Sequence, residues 1–281
     1  MATILMGYDV EFSAIGENMC RAGLLMFYPE LPDDTTAASL EIIRRNHKEL
    51  GARATLFVCG RTLLHSLPAV AKASKDQVFE IQQHTYSHVL FKPDVWEGGV
   101  FKPSPPEALV HEVTATSALL KQHLGVDCTG LRTPHGYYQG LSDRPDLVGI
   151  LDQAGIQYVS SWGRNEANGN PTPIEVQPFW YTEQGYPDIL ELPFQFWLDG
   201  TWFEAYGPER GREFLDVLKA GVDEIVEKDL VYGVAFHDWA MLRYNEERIG
   251  WVRGLMEYAL ESGVEVMSYG DYYARMVSER R

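Results

Sequence analysis

The feature that most narrows the fold is an alternation running from one end of the chain to the other. Short apolar runs are each followed by a longer segment with apolar residues at helical spacing. Ile4 to Phe12, Ala54 to Cys59, Val78 to Gln83, Cys128 to Arg132, Tyr158 to Trp162, Ile189 to Phe196, Leu230 to Phe236 and Val264 to Ser268 read as strands. Ala37 to Leu50 places Leu40, Ile43 and Leu50 among charges and reads as an amphipathic helix. Arg61 to Ser74 is helical with Pro68 splitting it, and Pro105-Pro106 opens a helix that Gly125 ends. Asp143 to Ala154, Gly207 to Lys228, Glu246 to Ser262 and the C-terminal segment complete the helical set. Gly163 to Pro178, rich in Gly, Asn and Pro, is the most loop-like stretch. Roughly seven or eight β/α units without a linker predict one domain over residues 1–281 built on a parallel sheet. The expected class is α/β: a single distorted (β/α) barrel of TIM type, closed or nearly so, with an aromatic-rich insertion. The 281 residues suit it, since such barrels take about 250. A doubly wound open sheet is the alternative.

Composition excludes other classes. Acidic residues number 40 against 24 Lys plus Arg, a formal charge of -16, which argues against nucleic acid or anionic membranes as partners because both reward clustered cations. Cys20, Cys59 and Cys128 form no CxxC pair, so neither a disulfide framework nor a cysteine zinc site is encoded. The first residues lack a basic region and reach Asp9 after a short apolar run, too short for a signal segment, and no run of about 18 apolar residues occurs. A cytoplasmic location is the expectation, with a small-molecule or oligosaccharide substrate and homo-oligomerisation left open. The first strand-to-helix turn, Tyr8 to Phe12, is no glycine fingerprint, so dinucleotide binding has no support.

Polar residues interrupt this pattern at strand ends. Asp9 and Glu11 follow the first strand, His84 and His88 the third, Arg132 the fourth, and His237-Asp238 the late one. In a parallel barrel all strand C-termini share one face, so residues from 9 to 238 converge at one mouth. His84 and His88 stand at i, i+4, and on one helical turn their imidazoles would face the same way. With two carboxylates nearby they supply three ligands and a spare carboxylate, the donor set of a hydrolytic zinc site. Two histidines suit magnesium poorly.

Five stretches in order carry a resemblance: Gly7-Tyr-Asp9-Val-Glu11, Ala54-Thr-Leu-Phe-Val-Cys-Gly60, Glu80-Ile-Gln-Gln-His84-Thr-Tyr-Ser-His88, Arg132-Thr-Pro134-His135-Gly136 and Val234-Ala-Phe-His237-Asp238. They resemble the polysaccharide deacetylases, metal-dependent carbohydrate esterases that include chitin and peptidoglycan deacetylases and share a distorted β/α barrel. The resemblance implies residue roles. Asp9 matches the general base that takes the proton of the attacking water, and Arg132 the arginine that orients that base. His237 matches the general acid that protonates the leaving nitrogen. His84 and His88 match two metal ligands, and Glu11 stands where the family has a second aspartate as the third ligand. The implied cofactor is a divalent ion, zinc or cobalt. His135 stands at the position whose backbone N–H supports the oxyanion. The family's aspartate–tryptophan motif has its nearest stretch at Ser160-Ser161-Trp162, to which no catalytic role is given.

The Asp-x-acid start and Leu192-Pro-Phe-Gln-Phe-Trp197-Leu-Asp199 look more like an intracellular branch that includes allantoinases, which open cyclic amides. Three readings follow: N-deacetylation of an acetylated amino sugar, hydrolysis of a cyclic amide, and a catalytically silent sugar binder. Ten aromatics between 179 and 206, where average usage leads to about three, suit a sugar face or a small heterocycle. They equally suit packing of an irregular insertion or a subunit contact. His47, His65, His111 and His123 fall in helical segments and are expected to be packed or solvated.

Overall fold

All eight residues of the first strand, Thr3–Val10, are buried, as a parallel strand covered on both faces requires. The protein is described by a computed structural model covering residues 1–15, 31–96, 99–243 and 250–280. Its strands are β1 (Thr3–Val10), β2 (Ala54–Val58), β3 (Phe79–Gln83), β4 (Asp94–Trp96), β5 (Gly99–Phe101), β6 (Gly130–Tyr137), β7 (Tyr158–Trp162), β8 (Phe179–Tyr181), β9 (Tyr186–Glu191), β10 (Val231–His237) and β11 (Glu265–Met267). The main sheet runs β10-β1-β2-β3-β6-β7-β9-β8, with β11 added to the N-terminal end of β1. Strands from β10 to β9 in that order are parallel, and β8 closes the edge as an antiparallel hairpin with β9.

The order climbs with the sequence and brings the late strand β10 back beside β1. That circular order belongs to a barrel and not to a doubly wound sheet, whose order reverses at a switch point. The ring is not completed by a ladder. At the seam, Gln195 N–H donates to Gly233 O at 2.9 Å. Its side chain accepts from Gly233 N–H at 2.6 Å and donates to Val231 O at 3.2 Å. Gly233 is needed there, because a Cβ would lie 2.1 Å from the carbonyl oxygen of Pro193.

Helices cover the outside. Leu40 and Ile43 of the helix Thr35–Leu50 are buried against the sheet, and Gly51 ends it in the left-handed region at φ 65°. The helix Pro106–Leu124 stops at Gly125, φ 73°. Residues 61–74 are split as Pro68 suggests, into Gly60–His65 and Leu67–Ala73. The final helix, Tyr269–Arg280, closes the N-terminal end of the barrel. Tyr269 N–H donates to Thr55 Oγ1 and its hydroxyl to Val234 O, while Gly270 N–H donates to Glu80.

Several expectations need correction. The β4–β5 and β8–β9 hairpins and the short helix Asp238–Arg243 interrupt segments read as loop or single strand. The segment from 199 onward forms two helices, Asp199–Tyr206 and Gly211–Lys228. Of the ten clustered aromatics, only Phe194 lines the pocket described below. Tyr181 and Phe203 are fully buried, and Trp202 packs against Trp197, Tyr206 and Phe214. Of the two readings, packing of the insertion fits most of these rings, and Tyr206 stays exposed. Cys20 and the start of the segment from Glu246 lie outside the described residues; Cys59 and Cys128 are free thiols.

Candidate active site

Strand register decides which side chains meet. The β1–β10 ladder sets Asp9 beside His237, and β1–β2 sets Asp9 beside Phe57. Phe57 pairs with Gln82 of β3, and Gln83 with Leu131 of β6. The residues one step past these pairs, His84 and Arg132, therefore reach the same rim as Asp9 and His237.

The expectation of a helical turn for His84 to His88 is overturned. The segment is a loop in which Thr85 and His88 take positive φ, 62° and 57°. Both are non-glycine residues in a conformation that costs energy and needs outside support. Glu112 supplies it, accepting from Tyr86 N–H at 3.0 Å, Ser87 N–H at 2.7 Å and Ser87 Oγ at 2.7 Å.

His84 Nε2 and His88 Nε2 then lie 2.9 and 3.0 Å from the same oxygen, Glu11 Oε2. His84 Nδ1 donates to the Arg132 carbonyl at 2.9 Å. With that proton placed, Nε2 can donate to Glu11 Oε2 only when the ring is charged; in the neutral ring both atoms present lone pairs, as they would to a shared cation. The fixed tautomer is the one a histidine ligand needs. The donor atoms of Glu11, His84 and His88 lie within 4.8 Å of one another. One carboxylate and two imidazoles match a catalytic zinc set with an open position, so the residues present fit a divalent ion.

The second oxygen of Glu11 is held separately. Trp239 Nε1 donates to Oε1 at 3.0 Å, and Asp238 accepts from the N–H groups of Glu11 and Phe12, each at 3.2 Å. Asp238 also takes the Thr36 hydroxyl at 2.6 Å. Its burial raises its pKa to about 7, with the charge of Glu11 adding to that. Burial alone would raise the Glu11 pKa, yet the imidazoles of His88, His237 and His84 hold it well below the usual range.

Asp9 lies to one side. Its Oδ1 accepts from Arg132 Nη1 at 2.9 Å, and Oδ2 stands 3.8 Å from His84 Nε2 and 3.9 Å from His237 Nε2. Arg132 is fully buried among the rings of Phe57, Phe194 and Tyr269, 4.4 to 5.1 Å from their centroids. It also donates to Ser160 Oγ at 3.2 Å and Val234 O at 3.3 Å. Gly7 makes room for it, since a Cβ there would fall 2.6 Å from the guanidinium.

His237 Nδ1 donates to Asp199 Oδ1 at 2.5 Å, and His237 N–H donates to Asp199 Oδ2 at 2.9 Å. Burial works against the imidazolium, but Asp199, Glu11 and Asp9 outweigh it and raise the pKa to about 10. Sequence reading missed Asp199 and looked instead to residues 160–162 for the carboxylate motif. The signal available was a carboxylate inside the stretch 192–199 already singled out. Asp9, Glu11, His84, His88 and His237 line one pocket, joined by Thr133, His135, Arg164, Leu198 and Trp239. Arg132 lies beneath it, in contact with Asp9.

Residues 29–159 match the polysaccharide deacetylase family, a span that includes His84, His88 and Arg132. No curated protein matches the chain by sequence at the required significance. Among solved structures, the chain is similar to a Mycobacterium smegmatis protein described as a polysaccharide deacetylase. The two are 15% identical with a TM-score of 0.71 over 99% of this chain and 91% of that one. It is also similar to the Puue allantoinase, 13% identical with a TM-score of 0.73 over 97% and 89%. A Pseudomonas aeruginosa protein described as a polysaccharide deacetylase is 13% identical, with a TM-score of 0.70 over 98% and 90%. This chain thus resembles the polysaccharide deacetylases in sequence over residues 29–159 and shares their fold over nearly its whole length.

Proposed function

We propose that this chain is a metal-dependent hydrolase of non-peptide C–N bonds that removes the N-acetyl group from an acetylated amino sugar or short oligosaccharide. One observation carries the reading: a carboxylate and two imidazoles converge at a point flanked by a second carboxylate and a third imidazole. Zinc suits the donor set of Glu11, His84 and His88, with cobalt as a substitute. When bound there, the ion supplies Lewis acidity that makes water nucleophilic near neutrality.

The rest belongs to the chain. Asp9 takes the proton of the attacking water, and Arg132 fixes which carboxylate oxygen faces the pocket. The backbone N–H of His135 supports the developing oxyanion. An amine leaves poorly until protonated, and His237, oriented through Nδ1 by Asp199, hands a proton from Nε2 to the departing nitrogen. The Glu11 oxygen tied to Trp239 leaves the other one for the ion, which accommodates the extra methylene relative to aspartate.

Ring opening of a cyclic amide is a second reading. It is favoured by pocket walls that set imidazoles and a guanidinium beside the rings of Phe194 and Trp239. An activity screen with acetylated chito-oligosaccharides and allantoin, with and without zinc, separates the two. Acetate release from the former alone is the expected result. Asp9→Asn and His84→Ala are each expected to abolish turnover with the fold intact by circular dichroism. Turnover retained in both variants sinks the site assignment, and purified protein holding no stoichiometric metal argues for a silent binder.

A further inference from the structure

One wall of the pocket carries polar groups that the hydrolytic reading leaves idle. Asp94, 3% exposed, accepts from His135 Nδ1 at 2.5 Å, Asn168 Nδ2 at 3.0 Å and Val95 N–H at 2.8 Å. Arg164 Nη2 stands 3.9 Å from the same carboxylate. A carboxylate accepts, so His135 Nδ1 carries the proton and Nε2 is left as an acceptor. The backbone of His135 takes a positive φ of 58°. Its ring packs 5.7 Å, centroid to centroid, from the metal-site ring of His88.

Arg164 is fixed from behind. Its Nε donates to Gly136 O at 3.3 Å and Nη1 to Asn170 Oδ1 at 3.0 Å. Those bonds use two of the five donors of a guanidinium, and 3.9 Å to Asp94 is beyond hydrogen-bond length. The side chain is 16% exposed. Burial pushes its pKa down, with Asp94 and the rim residue Glu204 acting against that. A guanidinium largely withdrawn from water with unspent donors favours an incoming acceptor.

The loop that carries Arg164 is built to hold it. Asn165 Oδ1 accepts from Ala167 N–H and Gly169 N–H, both at 3.0 Å. Asn170 Nδ2 donates to Gly163 O at 3.2 Å, and Thr172 exchanges backbone bonds with Phe196 at 3.0 and 2.8 Å.

We propose that Arg164, seated beside His135, forms a carboxylate-binding subsite, so that an amide bearing an acidic group apart from its scissile bond is preferred over a neutral one. The fork of an arginine matches the two oxygens of a carboxylate. The amide half of the statement rests on the hydrolase reading; the anion half needs only the pocket.

The test is calorimetric binding of N-acetylglycine and N-acetylglycinamide, a pair differing only in the carboxylate, to the zinc-loaded chain. The acid is expected to bind at least about tenfold more tightly. R164M should erase that preference, and R164K should keep part of it, with both variants melting close to the parent. Equal binding of the two probes by the parent overturns the proposal. So does a preference that survives R164M, which would put the carboxylate on the metal. The binding readout is independent of turnover. No hydrolysis of any amide with the preference intact refutes the hydrolase alone, whereas hydrolysis of neutral acetyl sugars without the preference refutes the subsite alone.

Discussion

His47 should make this fold acid-sensitive in a way that can be measured on one residue. It lies in the helix Thr35–Leu50, fully buried, with Tyr8 and Phe79 rings 5.4 and 5.3 Å away. Nδ1 donates to Ala52 O at 2.9 Å, so Nε2 is the acceptor for the Tyr8 hydroxyl at 2.7 Å. Both nitrogens are satisfied in the neutral ring, and a second proton would face a hydroxyl already donating. Burial lowers the pKa from 6.5 to about 4. Because the folded-state value is depressed, the unfolded chain binds this proton first as pH falls. Folding stability is therefore untouched above 6.5, declines from 6.5 down to about 4, and levels off below. At about 1.4 kcal/mol per pH unit the loss is about 3 kcal/mol. Urea unfolding of the parent and of His47→Gln at several values from pH 7 to 4 isolates it, since other titrating groups are common to both. The parent should lose about 3 kcal/mol more than the variant across that range. Parallel curves, within about 0.5 kcal/mol, would refute the reasoning.

Two further outcomes test the site. Arg132→Met leaves Asp9 buried without its partner among the same aromatic rings, and should cost about 3–5 kcal/mol in urea unfolding; a loss below about 1 kcal/mol counts against the pair. Trp239→Phe keeps a ring beside His237 but removes the N–H on Glu11 Oε1, and should weaken zinc about tenfold in a chelator competition. Unchanged affinity would mean the indole does not position Glu11.

The elements legible in the sequence were those whose pattern is local. β1, β2, β3 and β7 are apolar runs, and the helix Pro106–Leu124 has a proline at one end and a glycine at the other. The convergence of the six candidate residues was legible because strands of a parallel barrel all point one way, so a polar residue after a strand marks the rim. What was illegible depends on contacts distant in sequence. Nothing near His84 announces that Glu112, from the helix after β5, holds the loop in a non-helical shape. Asp199 meets His237 only because their segments lie on either side of the seam. The aromatic run left mouth and packing equally open because composition does not say which way a ring points; Tyr181 is held inside by its hydroxyl on Glu191 at 2.6 Å.

Away from the seam, the spacing between neighbouring strands is dictated by the backbone ladder, about 4.8 Å whatever the side chains are. Between Gln195 and β10 a single backbone bond remains, Gln195 N–H to Gly233 O, and the rest of the gap is bridged by the glutamine amide and, at the rim, by the Asp199–His237 contact. The girth of the barrel at this point is thus written partly in side-chain length. A residue shorter by one methylene at 195 would draw on a different part of the molecule from any active-site change, yet reset how far apart the two walls of the pocket stand.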